Sequence, residues 1–170
     1  MVERNGYGKL ILKGLIDEDF IQYKKCSMTL MFPDCSFKCD KECEEQVCQN
    51  SALATSSNIE CDVSDIIERY VSNDISEAVV IGGLEPLDTM EQLFEFIKMF
   101  REQSNDDIVV YTGYYESEKK YTSFLKYIKE NNYKSVIAKV GRFVPNKPHV
   151  FDELLGVELA SDNQYGVRIS

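Results

Sequence analysis

The chain has 170 residues, of which 44% are hydrophobic, and its 29 acidic and 19 basic side chains give a formal net charge of −10. This length favours a single domain and is too short for a complete eight-fold α/β barrel, which needs roughly 250 residues. An acidic surface repels nucleic acid and anionic lipid, so we expect neither nucleic acid nor a membrane as a partner.

The sequence shows no targeting segment. Residues 1–6 lack the apolar run of a secretory signal. No apolar run approaches the ~20 residues that a membrane-spanning helix needs. We therefore expect a cytoplasmic protein, in which the six cysteines are thiols or ligands rather than disulfides.

The first half of the chain predicts two strands and a helix. Residues 9–13 read as a short strand, and residues 27–32 read as a buried strand that runs into Pro33 and a cysteine-rich loop. Residues 50–58 are small and polar, which indicates a loop or a weak helical turn. Apolar residues at helical spacing then predict a helix over about 63–72.

The second half alternates strands with helices. Buried strands are predicted over 77–81, 108–111 and 135–140, each ending at a glycine or just before one. Asp88 followed by Glu91 is a capping-box pattern that predicts the start of one helix, and Ser117 is a candidate cap for the next. The tail is harder to assign, with short strands expected over 156–159 and 167–169.

This alternation predicts an α/β fold with a mostly parallel sheet and crossover helices. Functional groups in such sheets collect where parallel strands end. The loops that follow the predicted strands are 33–50, 82–88, 112–116 and 141–148. We therefore expect the functional residues in these four loops.

Four cysteines lie close together, with the spacing Cys35-x3-Cys39-x3-Cys43-x4-Cys48. Thiolates suit iron–sulfur clusters and zinc, and cysteines rarely cluster in a polar loop without binding a metal. Zinc sites favour two separated pairs of ligands, so four cysteines in one loop suit zinc poorly. The isolated Cys26 and Cys61 are expected to be inert.

The cysteine loop resembles that of the radical S-adenosylmethionine (SAM) superfamily, whose pattern is Cys-x3-Cys-x2-Cys with an apolar residue before the third cysteine. Cys35 and Cys39 match the first two positions, but eight residues separate Cys39 from Cys48. Cys48 follows Val47 and precedes Gln-Asn, as in the activating proteins of glycyl radical enzymes. We favour Cys48 as the third ligand, with 40–47 as an insertion; Cys43, preceded by a glutamate, is the alternative.

Four later segments resemble the activating proteins of anaerobic ribonucleotide reductase, in the family's order. They are a Gly-Gly-Glu-Pro motif with one extra leucine, a Tyr-Thr-Gly segment, a Gly-Arg-Phe segment and a variant of Ser-Asn-Gln-Arg. The resemblance implies that SAM is bound by Val47, Gly82, Gly83, Glu85, Pro86, Tyr111, Thr112, Arg142 and Asn163. Arg142 is a candidate for bidentate pairing with a carboxylate.

The resemblance implies a fold, a cofactor set and a reaction. The fold would be a partial (βα) barrel in one radical-SAM-like domain over 1–170, with an N-terminal extension at 1–26 and a cluster loop at 33–50. Three cysteines would hold a [4Fe–4S] cluster, which cleaves SAM to a 5′-deoxyadenosyl radical. The expected partners are a glycyl radical enzyme, such as anaerobic ribonucleotide reductase, and an electron donor, such as flavodoxin or ferredoxin.

Two other functions stay open at this point. One is a radical SAM enzyme with another substrate, and the other is a non-enzymatic four-cysteine zinc or electron-transfer protein. His149 is the only histidine, so a hydrolase with a Ser/His/Asp or Cys/His arrangement is not expected.

Overall fold

The structure, a computed structural model, describes residues 8–170, so the first seven residues of the predicted N-terminal extension lie outside it. Within these residues the strands are β1 Lys9–Leu12, β2 Gly14–Asp19, β3 Ser27–Phe32, β4 Ile59–Asp62, β5 Ala78–Gly83, β6 Asp107–Tyr111, β7 Val136–Val140, β8 Val150–Asp152, β9 Val157–Leu159 and β10 Tyr165–Arg168. The helices are α1 Lys38–Cys43, α2 Ser51–Ala54, α3 Val63–Val71, α4 Met90–Arg101 and α5 Lys119–Glu130, with a 3-10 helix at Pro86–Thr89.

Six strands form the main sheet in the order β10-β7-β6-β5-β3-β2. The four inner strands are parallel to one another, whereas the edge strands β2 and β10 pair antiparallel with β3 and β7. The predicted α/β class and the largely parallel sheet are therefore confirmed. Because the inner strands run in one direction, the loops after β3, β5, β6 and β7 meet at one edge of the sheet.

One face of the sheet is covered by α3, α4 and α5. Alternate residues of the inner strands point into this layer, as Val79 and Ile81 of β5 do, because side chains of a strand alternate between its two faces. They pack against buried residues of the helices, including Phe96, Phe100 and Phe124, each of which is 0% exposed. This apolar layer is the main core.

The opposite face of the sheet has a smaller apolar cluster and a large cavity. Ala78 and Val80 of β5 belong to this second cluster, together with Leu155 and Leu159 from the β8–β9 hairpin. The hairpin covers only part of the face. The rest is the floor of the cavity described below.

The N-terminal strand forms a separate two-stranded ladder with β4. Leu10 and Leu12 of β1 are fully buried in the helix-side core, which explains the apolar pattern of this strand. The side-chain amide of Gln92 in α4 binds both backbone groups of Ile11. The edge of β1 that does not pair with β4 is thereby held against α4.

Two predicted helix caps are wrong. Asp88 lies inside the 3-10 helix, and the first residue before α4 is Thr89, which makes no side-chain capping bond. Glu118, not Ser117, precedes α5, again without a side-chain cap. Asp88 is used elsewhere: its carboxylate accepts hydrogen bonds from the Ser36 amide and from the Tyr114 hydroxyl.

The sequence did not predict the strands β2, β4 and β8 or the short helix α1. The two glycines expected to follow the strand predicted over 77–81 are instead the last two residues of β5. Among residues 8–170, no helix has the length and apolar character that crossing a membrane requires.

Candidate metal centre

The loops after the parallel strands surround a cavity of about 490 Å³. Eight of the residues predicted to bind the cluster or SAM line it: Cys35, Cys39, Cys48, Gly82, Gly83, Glu85, Tyr111 and Thr112. This volume lies in the range of ~300–1,000 Å³ that is usual for small-molecule sites. The predicted residues that do not line this cavity are Cys43, Val47, Pro86, Arg142 and Asn163.

Cys35 and Cys39 lie at the start of the cluster loop and are about half-buried. The amide of Phe37, which has a positive φ of 53°, donates to Cys35 Sγ at 3.2 Å. Burial raises the pKa of the Cys35 thiol to about 11, and burial also raises the pKa of Cys39. Both thiols are therefore protonated at neutral pH, so binding of a metal or cluster here would release protons.

Cys43 and Cys48 differ in position. Cys43 is the last residue of α1 and does not line the cavity, whereas Cys48 does. Cys35 and Cys39 line the same cavity as Cys48, so these three thiols face one space. In the part of the chain that the structure describes, no three Cys, His, Asp or Glu side chains are close enough to hold a single ion.

Glu85 joins three loops. Its carboxylate accepts hydrogen bonds from the Leu87 amide at 3.0 Å, the Thr112 hydroxyl at 2.8 Å and the Gly113 amide at 2.7 Å. The Glu85 amide donates to the carbonyl of Asp34 in the cluster loop at 2.7 Å. Burial raises the pKa of Glu85 to about 7 against the opposing effect of these hydrogen bonds.

Gly83 is required by the packing of β5 on β3. Its φ is +80°, and a Cβ atom there would lie 2.7 Å from the Cα of Met31. Gly82 has more room, since its Cβ would meet only the side chain of Tyr111 at 3.4 Å. Both glycines line the cavity, and the positive φ of Gly83 is a backbone conformation that favours glycine.

Lys139 is a cavity residue that the sequence analysis missed. Its side chain lies on the cavity floor, is buried, and donates to the carbonyl of Gly141 at 3.2 Å. Burial lowers the pKa of Lys139 to about 8, and the nearby carboxylate of Glu85 opposes this shift. The sequence pattern could have identified it. Lys139 lies between the core residues Ala138 and Val140, so its side chain must point to the opposite face of the sheet, which has no helices.

Arg142 lies beside the cluster loop rather than in the cavity. With a side chain only 3% exposed, it donates to Glu118 Oε1 at 2.6 Å and lies 3.2 Å from the carboxylate of Glu42. Partial burial of Glu118 favours a higher pKa, but the hydrogen bonds from Arg142, the Tyr115 amide and Lys38 lower it to about 2. The carboxylates that meet Arg142 therefore belong to this chain.

The other predicted residues have structural contacts. Asn163 donates its side-chain amide to the Tyr115 hydroxyl and the Arg142 carbonyl, while its neighbour Gln164 lines the cavity. Pro86 begins the 3-10 helix and is buried. The Tyr111 hydroxyl donates to the Gln22 carbonyl.

An α/β sheet with three cysteines on one cavity at the ends of its parallel strands is an arrangement suited to binding a metal cluster. Residues 24–149 match the model of a family described as a 4Fe-4S single cluster domain, which is found in radical SAM-type proteins. The match covers more than half of the 170 residues, so the chain belongs to this family. Among curated proteins, none matches the chain.

Proposed function

We propose that this chain is a radical SAM iron–sulfur protein in which Cys35, Cys39 and Cys48 hold a [4Fe–4S] cluster. The observation that carries the proposal is that these three cysteines share one cavity with Gly82 and Glu85. A cluster with three cysteine ligands keeps one iron open, whereas four cysteines would close it. When bound and reduced, such a cluster supplies the electron for reductive cleavage of SAM.

The residues of the cavity fit the chemical groups of SAM. Glu85, Gly82 and Thr112 line this cavity, and we propose that their oxygen atoms accept hydrogen bonds from the ammonium group of SAM. Lys139 supplies a buried positive charge on the same floor, suited to a carboxylate. Val47, Pro86, Arg142 and Asn163 then support the site from outside the cavity rather than line it.

We further propose the finer fold and domain description that the family resemblance implies. The chain would be one radical-SAM-like domain over 1–170 that forms a partial (βα) barrel, with 1–26 as an extension and 33–50 as the cluster loop. Support comes from the strand order, since four parallel strands follow one another with α3, α4 and α5 packed on one face.

The proposed substrate is a glycyl radical enzyme, such as anaerobic ribonucleotide reductase, with a flavodoxin or ferredoxin as electron donor. Support for a protein partner comes from the cavity rim, where Ile16 and Ile21 line the cavity yet are 40% and 78% exposed. Phe20 beside them is 70% exposed. Exposed apolar residues grouped at a site are typical of protein contact surfaces.

The test is anaerobic reconstitution with iron and sulfide, followed by reductant and SAM, with 5′-deoxyadenosine measured by chromatography. We expect formation of 5′-deoxyadenosine by the wild-type chain and by Cys61→Ala, which removes a cysteine outside the cluster loop, but not by Cys35→Ala. A loaded and reduced cluster that yields none would contradict the radical SAM function and favour electron transfer. A zinc-loaded chain that takes up no cluster would favour the structural alternative.

The partner is tested separately. Adding a candidate glycyl radical enzyme to the active mixture should produce a glycyl radical signal in electron paramagnetic resonance. Conversion of a small metabolite by the isolated chain, without any partner, would contradict the activating role and leave the radical SAM function standing.

A further inference from the structure

The feature that carries a further inference is the carboxylate of Asp40, in the first turn of α1. Its Oδ1 atom accepts hydrogen bonds from two backbone amides across the loop, from Val47 at 2.8 Å and from Cys48 at 2.7 Å. Asp40 follows Cys39 directly in the chain. One side chain therefore links the residue after the second cysteine to the backbone of Cys48.

This link joins the two ends of residues 40–47, the segment by which the chain departs from the cysteine spacing of the radical SAM superfamily. Eight residues separate Cys39 from Cys48, so chain length alone leaves Cys48 free to lie far from Cys39. Helix α1 ends at Cys43, and Glu44 then adopts a positive φ of 55°, which turns the chain back. The two hydrogen bonds to Asp40 then hold residues 47–48 next to α1. In this arrangement Cys48 lines the cavity and Cys43 does not.

The contacts of Asp40 are not those of a helix cap. Phe37 is the N-cap residue of α1 and makes no side-chain capping bond, and both described hydrogen bonds of the Asp40 carboxylate go to residues beyond the helix. A carboxylate that accepts hydrogen bonds from two amides of a loop fixes that part of the loop strongly, because hydrogen bonds to charged groups are stronger than neutral ones.

We propose that Asp40 is a positioning residue that selects Cys48 over Cys43 as the third cluster ligand. It acts through the backbone of residues 47–48 and does not itself touch the cluster. This inference rests on the proposed cluster site. It adds an explanation of how Cys48 is held at the cavity although eight residues separate it from Cys39. Partners that orient metal ligands typically affect metal affinity by roughly 10–100-fold.

The experiment measures how fast the reconstituted cluster is lost to excess chelator under anaerobic conditions, followed by its visible absorption. We expect loss from Asp40→Ala to be roughly 10-fold faster than from wild type. Asp40→Asn keeps an accepting Oδ1 atom but loses the charge, so its rate of cluster loss should lie between those of wild type and Asp40→Ala. Glu45→Ala removes the same charge from an exposed position in the loop and should have no effect.

A double-variant comparison distinguishes positioning from a general effect on the loop. In the Cys48→Ala background, Asp40→Ala should cause no further acceleration, because its target is already gone. The electron paramagnetic resonance spectrum of the reduced cluster should change in Asp40→Ala, because Cys43 would then replace Cys48 as a ligand in part of the protein. Adding Cys43→Ala to Asp40→Ala should therefore reduce the cluster content further. In the wild-type background Cys43→Ala should be neutral.

The outcomes separate this inference from the proposed function. A wild-type chain that takes up no cluster overturns both. A loaded wild type with Asp40→Ala indistinguishable from it, or equal acceleration in the Cys48→Ala background, overturns the positioning role alone. If Asp40→Ala fails to fold by circular dichroism, Asp40→Glu replaces it, since the longer side chain keeps the charge but displaces the acceptor; wild-type behaviour of that variant would also overturn the role.

Discussion

The two faces of the main sheet are built from the same strands but have opposite characters. In β7, Val136, Ala138 and Val140 enter the apolar layer under the helices, whereas Lys139 between them lies on the cavity floor. In β5 the same alternation places Ile81 in the core and Gly82 on the cavity. One face is closed by apolar packing, and the other keeps space and polar groups.

The two faces therefore have different roles, stability on the helix face and binding on the cavity face. The polar residues that are buried on or beside the cavity include Thr29, Glu85, Thr112, Lys139 and Gln164. Burying polar groups costs free energy that hydrogen bonds only partly return. Their retention on one face indicates that this face is organised for binding, while the helix face provides the stability that offsets the cost.

The sharpest way to break the comparison is to remove a core residue on the helix face. Phe124→Ala in α5 deletes a side chain that is 0% exposed, and we expect a loss of about 3–5 kcal/mol in the free energy of unfolding. Chemical denaturation of the cluster-free chain measures it. Phe151→Ala, at a residue 62% exposed, is the matched control and should change little; equal losses would mean that the helix layer is not the main source of stability.

The sequence was sufficient for the parallel part of the sheet because these strands are mostly apolar runs that end near a glycine or, for β3, at a proline. It was insufficient for β2 and β4. Half of the residues 14–19 are acidic and they form an edge strand, so no long apolar run marks them. Three of the four residues of β4 are exposed. Pairing of such strands depends on neighbours distant in the chain, which local patterns do not contain.

The candidate site was predictable as a set of loops but not in its contacts. The cysteine spacing identified Cys35 and Cys39, and the residues that flank Cys48 favoured it over Cys43 as the third ligand; Cys35, Cys39 and Cys48 all line the cavity. The capping pattern at Asp88 was misleading because the Ser36 amide and the Tyr114 hydroxyl, both remote in sequence, bind that carboxylate. Tertiary hydrogen bonds of this kind override local propensity.

A smaller loss of stability is expected from substitution of the glycines at the end of β5. Gly83→Ala places a methyl group 2.7 Å from the Cα of Met31 and forces a side chain onto a φ of +80°, so we expect a loss of more than about 1 kcal/mol. Gly82→Ala, whose methyl group would meet the Tyr111 side chain at 3.4 Å, should cost less. Denaturation of both variants measures the order, and a reversed order would contradict the strained position of Gly83.

On the cavity face, a substitution should affect function without loss of stability. Lys139→Met removes a buried charge whose only described hydrogen bond is to the Gly141 carbonyl, so the free energy of unfolding should stay constant or rise by up to about 1 kcal/mol. Under the radical SAM function proposed above, formation of 5′-deoxyadenosine should fall, because the positive charge in the cavity is lost. Lys129→Met, on the exposed face of α5, is the control for both measurements.

A clear destabilisation by Lys139→Met would mean that the ammonium group supports the fold rather than the binding of a ligand. In that case the cavity face would also contribute to stability at Lys139, and the assignment of stability to the helix face alone would be wrong.

The smallest expected effect concerns the ion pairs that tie the cluster loop to the rest of the fold. Arg142 and Lys38 help to lower the pKa of Glu118 to about 2, below the 4.5 of an unperturbed glutamate, so the unfolded chain takes up this proton first as the pH falls. The contribution to stability is therefore complete above pH 4.5 and is lost between pH 4.5 and pH 2. Because Glu118 is partly exposed, we expect it to be at most about 1 kcal/mol. Denaturation of the cluster-free chain across this range should show a steeper loss for wild type than for Glu118→Gln. Identical slopes would mean that the attachment of the cluster loop rests on hydrogen bonds such as those of Asp88, and not on charge.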